Sequence, residues 1–137
     1  INSVMAVRDA QARGAHEAIM LNVDGNIAEG SSANVFALID GVWCTPSLDV
    51  GILSGITRQT LLELCELHKI TVEVKIITLD EFKQATEILL CSSVRELLPL
   101  IQLDQVPIGS GAVGPQFNRL RDLYRAEVHR RCVLEKS

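Results

Sequence analysis

The sequence predicts an α/β (α+β) domain: a mixed sheet, partly closed on itself, with helices around it. Three observations carry this. Short apolar runs of strand length alternate with helical patterns along the whole chain. The dipeptides Asp24-Gly25 and Asp40-Gly41 are hairpin signals between such runs. The run Ile88-Leu89-Leu90-Cys91 is apolar at every position, as a central strand buried on both faces requires. The 137 residues suffice for one domain with a real core. Only 4% are aromatic, so Leu, Ile and Val must fill that core.

Each element has its own local reason. Val4 to Arg13 reads as an alanine-rich helix that Gly14 would end. Glu17 to Asn22, Ile27 to Gly30, Asn34 to Ile39 and Val42 to Thr45 read as four short antiparallel strands in a meander. Pro46 to Gly51 is a loop. Thr57 to His68 is a helix whose Leu61, Leu62, Leu64, Cys65 and Leu67 make a broad apolar face. Thr71 to Ile77 alternates as a strand, and Leu79 to Ala85 is a short helix begun by Thr78 or Asp80. Glu87 to Cys91 is the buried strand, and a turn at Ser92-Ser93 leads on to Glu96 through Leu100. Asp104 and Gln105 turn into a short strand with Val106. The last helix, Gln116 to about Cys132, aligns Phe117, Leu120, Tyr124 and Val128 on one stripe. Its Arg119, Arg121, Arg125, Arg130 and Arg131 form a solvated face.

Composition excludes several function classes. A net charge of −4 argues against a nucleic-acid surface. The apolar runs are too short to span a membrane, and no signal peptide is visible. Cys44, Cys65, Cys91 and Cys132 are widely spaced, with no C-x-x-C pair and no metal-ligand spacing. They read as reduced thiols of a cytoplasmic protein.

The chemistry concentrates in three stretches: Ala28 to Phe36, Leu53 to Arg58, and Cys91 to Ser93. All are small, hydroxyl-rich and placed at strand ends or helix starts, where backbone N–H groups are free to meet a phosphate ester. Glu29 is a lone carboxylate among small and apolar neighbours. It needs a positive partner, such as a protonated ring nitrogen, or strong local N–H donors in a turn. Gly55-Ile56-Thr57 either holds a phosphate or is a plain helix start capped by Ser54 or Thr57. Ser92 and Ser93 offer the same choice between phosphate binding and turn formation. Asn34 is expected to fix the backbone of its turn, and Arg58 faces solvent or locks the loop. His16, His68 and His129 have no matched acid, so no Ser-His-Asp arrangement is expected.

Taken together, these stretches resemble the fold-type IV, or class IV, enzymes dependent on pyridoxal 5′-phosphate (PLP). That family includes branched-chain and D-amino-acid aminotransferases and aminodeoxychorismate lyases. The match runs through Gly14-Ala15-His16-Glu17-Ala18-Ile19, Glu29 to Phe36, Thr45-Pro46, Gly51 to Arg58, Glu87 to Ser93 with Pro99, Gly109 to Gly111, and Gly114-Pro115. By that resemblance Glu29 pairs with the pyridine nitrogen, and Gly55, Ile56 and Thr57 hold the phosphate with help from Ser92 and Ser93. Leu53 packs against the ring, while Ser32 and Asn34 shape the loop behind Glu29. Ser93 and Val94 lie near the substrate carboxylate.

The resemblance implies more about the parent protein. It puts the Schiff-base lysine a few residues before Ile1, so no catalytic residue is expected within 1–137. None of Lys69, Lys75, Lys83 or Lys136 matches that lysine. Residues 1–137 would be the C-terminal PLP-binding domain, needing a smaller N-terminal domain and inactive alone. The expected substrates are an amino acid and a 2-oxo acid, and the expected assembly is a homodimer. Aminodeoxychorismate lyase activity, which eliminates pyruvate to leave 4-aminobenzoate, is the nearest alternative. A non-catalytic phosphate-ligand-binding or structural fragment is the alternative of another class.

Overall fold

A computed structural model describes residues 2–9, 16–22, 24–30, 33–47, 55–92, 96–104 and 106–136. Strands β1 (Asn2–Asp9), β2 (His16–Leu21), β3 (Ile27–Gly30), β4 (Asn34–Ile39) and β5 (Val42–Pro46) come first. Helix α1 (Ile56–Leu67), strand β6 (Val72–Lys75) and helix α2 (Leu79–Lys83) follow. Strands β7 (Glu87–Ser92), β8 (Glu96–Leu103) and β9 (Val106–Pro107) lead to the final helix α3 (Pro115–Lys136). The strands share one sheet in the order β3-β2-β1-β8-β7-β4-β5-β6, with β9 paired to β8.

The expected mixed and partly closed sheet is present. Most neighbours are antiparallel, but β5 and β6 run parallel because α1 carries the chain over between them. Closure comes from the two edges. The Ile27 N–H at the start of β3 donates to the Ile77 carbonyl just past β6, at 2.9 Å. The Asp40-Gly41 hairpin forms as its sequence requires. Both residues have positive φ, 51° and 78°, which matches the twist of the strands they join.

Two expectations are corrected. Val4 to Asp9 belongs to strand β1 and is not helical. Helix propensity is a weak prior, and so short a segment gains little from its own helical bonds. As a strand it pairs with β2 on one side and β8 on the other, with Ala6 opposite Ala18 and Val7 opposite Leu103. Residues 10–15, where that helix was expected to end, lie outside the described residues. The four-strand meander is also broken. Hairpins β2–β3 and β4–β5 form, but β3 takes an edge place and β4 pairs with β7 instead. The apolar β7 needs partners with apolar residues on both faces, and β4 supplies them.

The core follows from strand alternation. On one face Val35 and Ala37 of β4 join Ile88 and Leu90 of β7, Leu98 and Leu100 of β8, and Phe82 of α2. On the other, Phe36, Leu38, Leu89, Cys91 and Trp43 pack under Leu61, Leu64 and Cys65 of α1 and Phe117, Leu120 and Tyr124 of α3. β7 is therefore covered on both faces, as its composition predicts. The β1 ladder on β8 stops at Leu100, beside Pro99, which has no N–H to give.

Candidate functional site

Antiparallel order puts several strand ends together. β7 ends, and β4 and β8 begin, at the same end of the sheet, because Asn34 lies opposite Cys91 and Ser92 opposite Glu96. Glu29 pairs with Met20 next to the end of β3, and the chain runs from there directly into Asn34 at the start of β4. Ser92 is half-buried at the end of β7. Ser32, Leu53, Ser93 and Val94 lie outside the described residues.

Helix α1 starts at this end of the sheet. Its N-cap is Gly55, which has no side chain to cap it, so Thr57 is not the cap residue, and Ser54 lies outside the described residues. The other two helices differ. In α2 the Thr78 hydroxyl accepts from the Glu81 N–H at 3.2 Å, and Glu81 Oε1 accepts from the Thr78 N–H at 3.1 Å. At the start of α3 the Glu87 carboxylate takes the Gln116 and Phe117 N–H groups, at 3.3 and 2.8 Å. First-turn N–H groups have no partner within their own helix, and the positive end of its dipole favours an anion. In α1 no side chain of the cap residue takes them, and Ile56 beside them is 79% exposed.

Two contacts fix α1 here. The Gly55 N–H donates to Asn34 Oδ1 at 3.2 Å. Asn34 thus holds a segment 21 residues away, beyond the turn it was expected to stabilise. Arg58 is 3% exposed and its Nη2 donates to the Pro46 carbonyl at 3.1 Å, which resolves its role as a lock. Burial lowers its pKa, while the Cys91 thiol nearby favours its charge. Thr57 is buried, and Thr45 Oγ1 donates to the Val35 carbonyl at 2.8 Å, tying β5 to β4. Sequence reasoning missed the Asn34–Gly55 contact because nothing local signals a bond across two elements.

The start of α1 and the strand that carries Glu29 in the sequence together supply backbone N–H donors and a carboxylate. They fit a group with a phosphate and a basic ring nitrogen: donors from α1 for one, Glu29 for the other. Among the described residues no three His, Cys, Asp or Glu side chains cluster to hold a metal, and no helix is long and apolar enough to cross a membrane. A cavity of about 190 Å³ lined by Lys83, Leu103, Asp104, Val106, Pro107 and Ile108 lies at the other end of β8. It contains none of the residues expected to act.

Residues 1–103 match the family described as Amino-transferase class IV. The chain is 40% identical over 124 residues to the branched-chain-amino-acid aminotransferase of Pseudomonas aeruginosa, covering 90% of this chain and 40% of that protein. It is 40% identical over 113 residues to the D-alanine aminotransferase of Bacillus licheniformis, covering 82% and 40%. The solved PLP-form (holo-form) of the branched-chain amino acid aminotransferase from Thermobaculum terrenum superposes with a TM-score of 0.80 at 36% identity. That match covers 89% of this chain and 40% of the other. The chain thus spans 40% of the length of these relatives.

Proposed function

The chain belongs to the class IV aminotransferase family, and on that premise we propose that it is the PLP-binding part of an enzyme moving an amino group between an amino acid and a 2-oxo acid. The observation that carries this is the start of α1, whose N-cap Gly55 has no side chain and is tied to Asn34 at the start of β4, just after β3 and its Glu29. PLP, when bound, supplies a ring that accepts the electron pair left when a substrate α-proton departs. The Glu29 carboxylate holds the proton on the ring nitrogen. The N–H groups of Ile56 and Thr57 and the Thr57 hydroxyl bind the phosphate, with Ser92 and Ser93 beside them. Leu53 packs on the ring, Ser32 supports the loop behind Glu29, and Ser93 and Val94 orient the substrate carboxylate.

The lysine and the smaller domain belong to a longer, homodimeric parent protein. Four free cysteines support a reducing cytoplasm. Lys69 is a poor candidate for the reactive lysine: it follows the C-terminal end of α1, about 18 Å from the N-terminal turn at 1.5 Å per residue. Lys75 is held by Glu81 at 2.7 Å, and Lys83 lines the far cavity.

The test is a reductive trap on the full-length protein: add PLP, reduce with borohydride, digest, and map the modified lysine by mass spectrometry. A single stoichiometric label upstream of Ile1 is expected. No specific label, or a stoichiometric one on Lys69, Lys75, Lys83 or Lys136, overturns this function.

A further inference from the structure

Gly55 does not offer its N–H to a ligand, because Asn34 Oδ1 accepts it at 3.2 Å. Asn34 is 6% exposed at the start of β4. A methyl group on Gly55 would lie 2.7 Å from that Oδ1, and the next atom it would meet is Asn34 Cγ at 4.0 Å. Among the described residues, Asn34 is what a side chain at this position would push aside. The absence of one lets the helix start close against β4.

We propose that Asn34 is a positioning residue for the phosphate seat. By taking the Gly55 N–H it sets the direction of the first turn of α1, so that the N–H groups of Ile56 and Thr57 converge on the phosphate. This rests on the reading of α1 as that seat. Arg58 braces the same turn from β5 through the Pro46 carbonyl. Together the two contacts tie one helix start to two neighbouring strands, which orients its donors before any ligand arrives. Gly55 then acts through its missing side chain and its bond to Asn34, and not as a donor to the phosphate.

The measurement is the affinity of the full-length protein for PLP and for pyridoxal, which shares the ring and aldehyde but lacks the phosphate. Their ratio isolates the phosphate contribution. Asn34→Ala is expected to lower the PLP-over-pyridoxal preference by roughly tenfold, the effect of one misdirected charge-assisted hydrogen bond. Gly55→Ala should lower the preference similarly, and should cost nothing further in the Asn34→Ala background, where the obstructing oxygen is gone. If Asn34→Ala does not fold, Gly55→Ala alone supplies the ratio. A wild-type preference for PLP that neither variant changes overturns the positioning role while leaving the function intact. Additive losses in the double variant overturn the contact as its cause. A wild-type protein with no preference for PLP overturns the phosphate seat itself.

Discussion

Cys91 lies opposite Asn34 in the β4–β7 ladder, and burial pushes its thiol up to about 12, against the weaker pull of the Arg58 charge. Burial likewise pushes Cys65 up to about 11 and raises Cys44. Such thiols are inert, because the thiolate is the nucleophile. Iodoacetamide on the native protein at neutral pH should therefore modify Cys132, which is exposed, and spare the other three. Peptide mapping reads this directly, and labelled Cys91 would contradict the burial. The same shifts bear on stability. In the unfolded chain these thiols ionise near 9.0, while folded Cys91 keeps its proton to about 12. The unfolded state thus binds fewer protons above pH 9.0, so this stabilisation is complete below that pH and fades as pH rises toward 12. Urea midpoints should fall across this window, and Cys91→Ala should fall less steeply than the wild type. Equal slopes would refute the assignment.

Among the elements, α3 shows how burial sorts residues of similar type. Leu120 is 1% exposed within the cluster that includes Phe36, Leu89 and Phe117, whereas Leu134 on the same helix is 59% exposed. Leu120→Ala should cost about 2–5 kcal/mol through lost burial and a residual cavity. Leu134→Ala should stay within about 0.5 kcal/mol. Urea denaturation of both distinguishes them, and comparable losses would mean that α3 does not dock as described. Arg119, Arg125, Arg130 and Arg131 of α3 are exposed as the sequence suggests, but Arg121 is half-buried against the core. Arg130 and Arg131 share the Glu127 carboxylate at 2.7 Å, and Arg121 lies 5.7 Å from the Phe117 ring centre.

For the molecule as a whole, the sheet is held from its middle. β7 has β4 and β8 as neighbours and is covered on both faces, while β6 is an edge strand with Val74 exposed. Opening β7 requires most of the core to open with it. Its Leu89 and Leu90 amides should exchange with deuterium last, and those of Glu73 and Val74 well before them. Mass spectrometry or NMR would show this order, and fast exchange in β7 would refute the central placement. The Ile27–Ile77 bond closes the sheet, and no local pattern announces it, because its partners are 50 residues apart.

The sequence by itself determined the α/β class, the hairpins at Asp24-Gly25 and Asp40-Gly41, the helices near Thr57 and Gln116, and the doubly buried β7. Each rests on a period or turn signal spanning a few residues, so no distant contact is needed. The motifs from Glu29 to Phe36 and from Gly51 to Arg58 likewise carry the resemblance to the family. Only the tertiary structure decided that Val4 to Asp9 is a strand, because neighbours on both sides outweigh a slight helical preference. It alone split the expected meander and sent β3 to an edge. It alone brought Asn34 to Gly55 and Arg58 to Pro46. Those contacts join residues far apart in the chain, and their worth comes from burial and direction, which no local pattern contains.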